Sequence, residues 1–192
     1  MEIRALLTSR LRLGAAASRT DKAPHSWPIM ISSERLAAGW PNLARNADFA
    51  ALLDRSLHRL TGQGLLPDRF ENQAAADWLY AEAPFCLLAH DTRADPIFIY
   101  GNKAVQACFE YDWEELTQLP SRLSAEFPDR SERQRLLDTV KKQGFISDYR
   151  GIRVAKSGRR FLIENAIVWE IFDDAGNRHG QAATFSSWRN VS

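Results

Sequence analysis

The side chains best suited to metal or covalent chemistry are four histidines and two cysteines, and their spacing supports neither use. His25, His58, His90 and His179 are scattered, and no two stand at the short spacing that brings metal ligands side by side. Cys86 and Cys108 form neither a disulfide framework nor a zinc pattern, and their apolar neighbours suit buried core thiols in a reducing compartment. Gly-x-Ser-x-Gly, P-loop and dinucleotide glycine motifs are absent, so a protein without enzymatic activity is expected. Arg130, Arg133, Arg135, Lys141 and Lys142 make a basic run, but Asp129, Glu132 and Asp138 interrupt it. That mixture reads as a solvated helix face rather than a phosphate site.

Two amides in apolar strands offer more. At strict period two, Asn165 shares a face with Phe161, Ile163, Ile167, Trp169 and Ile171, and Gln181 shares one with Ala183 and Phe185. A buried amide left without a partner costs about 1–3 kcal/mol. Each amide therefore either bonds to a neighbouring loop or faces a cavity where a ligand or water completes its hydrogen bonds.

The elements that position these residues follow from the pattern. The chain has 192 residues, 45% hydrophobic and 26% charged, enough for one domain with extensions. A net charge of +1 gives no general reason to expect nucleic acid or acidic membranes as partners. No apolar run approaches the roughly 20 residues that cross a bilayer, and a cytoplasmic location is expected. Residues 1–44 read as a leader, with Arg4, Arg10, Arg12 and Arg19 set among Ala and Ser. That composition fits an unstructured segment, with Met30 an alternative start, and as a lesser alternative organelle targeting by residues 1–30.

Asn46 should cap a helix with Phe49, Leu52, Leu53, Leu57 and Leu60 on one stripe, ending at Gly62 and Gly64. A second helix is expected from Asp68, at capping-box spacing from Glu71, to Ala83 before Pro84. Phe85–Ala89 and Ile97–Tyr100 read as strands, and Asn102 as the cap of a helix carrying Val105, Cys108 and Phe109. Asp112 with Glu115, and Ser131 with Gln134, box two further helices, the second ending at Gly144. From Arg150 to Trp188 two hairpins follow, turning at Ser157-Gly158 and at Asp173–Gly176. The fold class is α+β: five antiparallel strands, with helices inserted after the second strand on one face and an N-terminal helical pair in front. The Phe49–Leu60 stripe could cover the open face of the sheet or pair with a second copy, and a homodimer is expected.

Several stretches resemble the MEKHLA family of PAS-related domains: Pro96 to Ala104, Leu119 to Arg122, Tyr149 to Arg153, Ser157 to Phe161, Ala166 to Trp169, and Gly180 to Phe185 with Trp188. The six letters that name the family are absent, as are the homeodomain and zipper found in its plant transcription factors, so the resemblance does not bring DNA binding with it. The resemblance covers about residues 46–188, and the chain is divided into a helical extension at 45–83, a PAS-like MEKHLA domain at 84–188 and a tail at 189–192. The resemblance implies a sensory or regulatory role, with no ligand generally established. A single histidine such as His90 ligates haem in some PAS domains, but here a turn residue is the favoured reading. Cys108 lacks the Asn-Cys-Arg-Phe-Leu-Gln context of flavin photosensors, so neither haem nor flavin is expected. In PAS folds the sheet face beneath the inserted helices lines the ligand space. The candidate ligand-binding residues are therefore Asn165, Gln181, Trp169, Phe161, Ile163 and Phe185, an apolar wall with an indole for stacking and two directional amides. A small organic ligand, a protein partner, or both are expected. The alternative is an interaction module whose core is filled.

Overall fold

The computed structural model describes residues 43–126, 136, 139–140 and 142–191. The leader up to residue 42, the Ser131–Gln134 box and most of the basic run lie outside the described residues. A 3-10 turn at Leu43–Arg45 leads into helix α1 (Ala47–Thr61), whose cap Asn46 accepts a hydrogen bond from the Phe49 amide at 2.8 Å. Leu43 and Ala44, which the sequence reading assigns to the leader, are buried in the core. Helix α1 ends at Gly62 with φ of 73°, the left-handed conformation that a glycine cap supplies. Helix α2 spans Asn72–Ala81. It starts later than the Asp68–Glu71 spacing predicts: Glu71 holds the cap position without a side-chain bond to the helix.

Strands β1 (Cys86–His90) and β2 (Phe98–Gly101) are followed by the short helices α3 (Lys103–Phe109) and α4 (Trp113–Leu116). Asn102 caps α3, and Asp112 with Glu115 forms the expected capping box on α4. Leu136, Thr139, Val140, Lys142 and Gln143 are helical, and Gly144 at φ 81° stops that helix with its amide on the Val140 carbonyl. Strands β3 (Phe145–Val154), β4 (Arg160–Phe172), β5 (Arg178–Phe185) and β6 (Trp188–Asn190) complete the sheet. Its order is β2-β1-β5-β4-β3, antiparallel throughout, with β6 beside the first residues of β4. This is the PAS-like arrangement the sequence suggests.

One feature of β4 rearranges the expected faces. Gly151 pairs with Ile163 and Tyr149 with Ala166, so β4 carries one extra residue between those pairs. Asn165 sits in that bulge at φ 54°, a left-handed conformation that Asn tolerates better than most residues. The extra residue inverts the alternation. Phe161, Ile163, Ala166 and Val168 face the inserted helices, whereas Trp169 and Ile171 face the N-terminal pair.

The sheet is thus covered on both sides. On the outer side α1 and α2 pack with Leu87, Ala89, Tyr100, Trp169, Ile171 and Ala182. The α1 stripe is consumed there: Phe49, Leu52, Leu53 and Leu57 are all at most 2% exposed. The apolar face on which the expectation of a homodimer rested is therefore buried against its own sheet. On the inner side, α3, α4 and Val140 pack on β1, β3, β4 and β5.

Candidate functional site

The inner layer is anchored at Asn102, which is fully buried. Its Oδ1 accepts from the Val105 amide at the start of α3 and from the Leu87 amide of β1, both at 3.1 Å. Its Nδ2 donates to the Phe85 carbonyl at 2.8 Å. One side chain thus caps α3 and fixes that helix to the sheet. Next to it, Gln106 donates to the Gly101 carbonyl at 2.9 Å and to the Tyr80 hydroxyl at 3.1 Å, linking α3 to α2. Sequence reasoning identified Asn102 as a cap, but its bonds to β1 join residues far apart in the chain and leave no local signal.

The middle of this layer is filled. Phe109 meets Phe161 edge-on, with ring centroids 5.0 Å apart, and Val105, Leu116, Ile146, Ile163 and Phe185 close around them. Phe161, Ile163 and Phe185 are brought together as expected from the sequence, and each is at most 3% exposed.

Toward the β4–β5 turn the layer opens into a groove of about 640 Å³. Leu60 from the end of α1, Leu136, Val140 and Gln143 from the helix before Gly144, and Glu170, Phe172, Arg178 and Gln181 from the sheet line it. Gln181 donates to Glu170 Oε1 at 3.1 Å, and Arg178 Nε pairs with Glu170 Oε2. The groove therefore offers an apolar wall opposite a short polar row. Next to Gln181, Gly180 lies close against β1: a Cβ there would lie 2.0 Å from the His90 carbonyl oxygen, at a φ of 148°.

The other two candidate residues are elsewhere. Trp169 lies on the opposite face of the sheet, where its Nε1 donates to Ser56 Oγ at 3.0 Å and Ser56 donates to the Leu53 carbonyl. Asn165 is exposed at the bulge. Both departures have one cause, the extra residue in β4, and neither side chain can join Phe161 in lining an inner space. The same inversion brings Glu170 to the inner side, where strict alternation from Phe161 excludes it. An Asn inside an otherwise apolar strand was the one signal that could have revealed the bulge.

At the β4–β5 turn, desolvation pushes the Asp173 carboxyl up. Hydrogen bonds from the Asn177 side chain, His179 and the Asn177 amide outweigh it and bring the group down to about 2. His90, at the end of β1, is half-buried and donates through Nδ1 to the Asp91 carbonyl at 2.8 Å. No group of three His, Cys, Asp or Glu side chains able to hold a metal occurs among the described residues. No helix among them is long and apolar enough to cross a membrane.

Comparison with known proteins settles the family. The sequence profile of the MEKHLA domain matches residues 47–190. This chain belongs to the MEKHLA domain family. The MEKHLA match starts at α1, so it takes in both N-terminal helices as well as the sheet. The homeobox-leucine zipper protein ATHB-9 of Arabidopsis thaliana is 31% identical over 117 residues, covering 59% of this chain and 13% of that protein. The chain thus spans about an eighth of the length of the curated relative it matches.

Among solved structures, an RNA-binding light-oxygen-voltage receptor is similar at a TM-score of 0.47 and 19% identity, covering 57% of this MEKHLA chain and 30% of the other. A PAS domain from Colwellia psychrerythraea is similar at 0.44 and 17%, covering 56% and 86%. A light-oxygen-voltage domain studied with a flavin analogue is similar at 0.44 and 14%, covering 56% and 77%.

Proposed function

We propose that this MEKHLA domain is a non-enzymatic sensory or regulatory module that takes a small organic molecule in the groove beside Gln181. The observation that carries the reading is the groove itself: Leu60, Val140 and Phe172 line it together with the polar Glu170, Arg178 and Gln181. Small-molecule sites generally combine a mostly apolar lining with a few directional polar groups. The position also suits signalling. A ligand there would touch the end of α1, the helix before Gly144 and the β4–β5 hairpin together, and would shift their relative populations by its differential affinity for the arrangements they adopt. The signal would then pass to a protein partner.

The filled middle of the inner layer supports a second reading, an interaction module with no ligand. Its Phe109–Phe161 contact leaves the expected cavity occupied by protein. A thermal-shift screen of metabolites separates the two. At a ligand concentration 100 times Kd the stabilisation is about 2.7 kcal/mol, which moves Tm by several degrees. At least one compound should raise the Tm of the unsubstituted protein and leave Gln181→Trp unmoved, because the indole occupies the groove. No stabilising compound would favour the interaction module.

A further inference from the structure

The polar groups that line the groove are not all open to a ligand. The Glu170 side chain is 14% exposed, and both of its carboxylate oxygens are engaged. Oε1 accepts from Gln181 at 3.1 Å, and Oε2 pairs with Arg178 Nε. Gln143 donates to the Phe145 carbonyl at 2.9 Å. The Arg178 guanidinium, by contrast, is held through Nε alone: Nη1 and Nη2 have no hydrogen-bond partner among the described residues. Its side chain is 43% exposed, which sets it at the solvent edge of the groove. The open N–H groups form the end of a planar fork, whose geometry matches the two oxygens of a carboxylate.

Charge points to the same class of ligand. A cationic molecule would need an open carboxylate, and Glu170 is already bonded to Arg178 and Gln181. A neutral molecule could cover Leu60, Val140 and Phe172 but would leave the fork to water. A carboxylate would meet the fork beside solvent and so escape most of the desolvation cost that a deeply buried charge carries. Through Nε, Glu170 would go on holding the guanidinium in place.

Resting on the reading of this groove as a ligand site, we propose that its ligand is a monocarboxylic acid with an apolar body. Arg178 Nη1 and Nη2 take the carboxylate, and the body lies along Leu60, Val140 and Phe172. A linear acyl chain and an aryl-substituted acid share this chemistry.

The test titrates the full chain with octanoate, phenylbutanoate, octanol and octylammonium, following amide shifts by NMR. At least one of the two acids should bind, about tenfold or more tightly than the alcohol or the amine, and the better acid tells a linear body from an aryl one. Arg178→Gln should weaken that acid by roughly ten- to a hundredfold, the range of a charge-assisted hydrogen bond, and leave any binding of octanol unchanged. Arg178→Lys keeps the charge without the fork and should recover only part of the loss. Gln181→Trp should abolish binding of acid and alcohol alike. Circular dichroism verifies that each variant is folded. Octanol binding as tightly as the acids, and lost in Gln181→Trp, would overturn the carboxylate while leaving the groove as a ligand site. Absence of binding by both acids, or acid binding undiminished in Arg178→Gln, would equally overturn the proposal. Acid binding that survives Gln181→Trp would overturn both the proposal and the reading of the groove on which it rests.

Discussion

The two faces of this sheet solve the same problem differently. The outer face is closed by α1 and α2; Trp169 Nε1 there meets Ser56 at 3.0 Å, while the Tyr100 hydroxyl is buried in the same layer without a hydrogen-bond partner among the described residues. The inner face is packed around Phe109 and Phe161 but opens near Gln181, where Glu170, Arg178 and Gln181 stand opposite Leu60 and Val140. A surface whose large apolar side chains are mostly covered contributes stability. A surface with polar groups facing a groove contributes less and can respond to what binds there. The outer layer is accordingly expected to be sensitive to substitution, and the groove tolerant.

The largest effect should come from charging the outer layer. Leu53 is fully buried on α1, so Leu53→Glu places a carboxyl in an apolar site. Burial of that kind raises a carboxyl pKa by as much as 3–5 units, and each unit is worth about 1.4 kcal/mol. Added to the lost packing, this rivals the whole stability of a small domain, about 5–15 kcal/mol. Circular dichroism should show an unfolded chain. A folded protein that merely changes oligomeric state would mean that α1 is not closed on the sheet.

Asn102→Ala comes next. It removes the α3 cap and leaves the buried Leu87 amide and Phe85 carbonyl without their side-chain partner, a loss of about 2–4 kcal/mol by urea unfolding. A loss under 1 kcal/mol would show that the inner layer does not depend on this anchor. Ser56→Ala is smaller, about 1–3 kcal/mol, because it strands the Trp169 ring donor in an apolar layer. A neutral result there would break the contrast between a closed outer face and an open inner one.

The smallest effect is expected at Asn165. A branched or bulky residue is strained at φ 54°, so Asn165→Leu should destabilise by about 1 kcal/mol through the backbone, and Asn165→Gly should be neutral or slightly stabilising. Equal losses from both substitutions would instead point to side-chain bonds at that position.

Asn165 also shows where sequence reading stops. Period-two alternation from Phe161 onward correctly finds a long strand and places Phe161, Ile163 and Phe185 in one layer. It cannot register a single inserted residue, and that one insertion sends Trp169 to the other face and brings Glu170 to the groove. The caps were legible because Asn46, Asn102 and Asp112 bond within three residues of themselves. The start of α2 was not, since Asp68 and Glu71 have the spacing of a capping box without its geometry. The outer layer was half legible. The Phe49–Leu60 stripe demands a partner, but only the inverted face of β4 decides that the partner is the chain's own sheet.

Native mass spectrometry of the purified protein, beside Gln181→Trp, tests the groove most directly. The account predicts that the unsubstituted chain carries or takes up a non-covalent organic adduct, which the variant, folded by circular dichroism, does not. An adduct that persists in the variant would contradict the groove as its seat. A bare chain that binds nothing from a metabolite mixture would contradict the sensory reading itself.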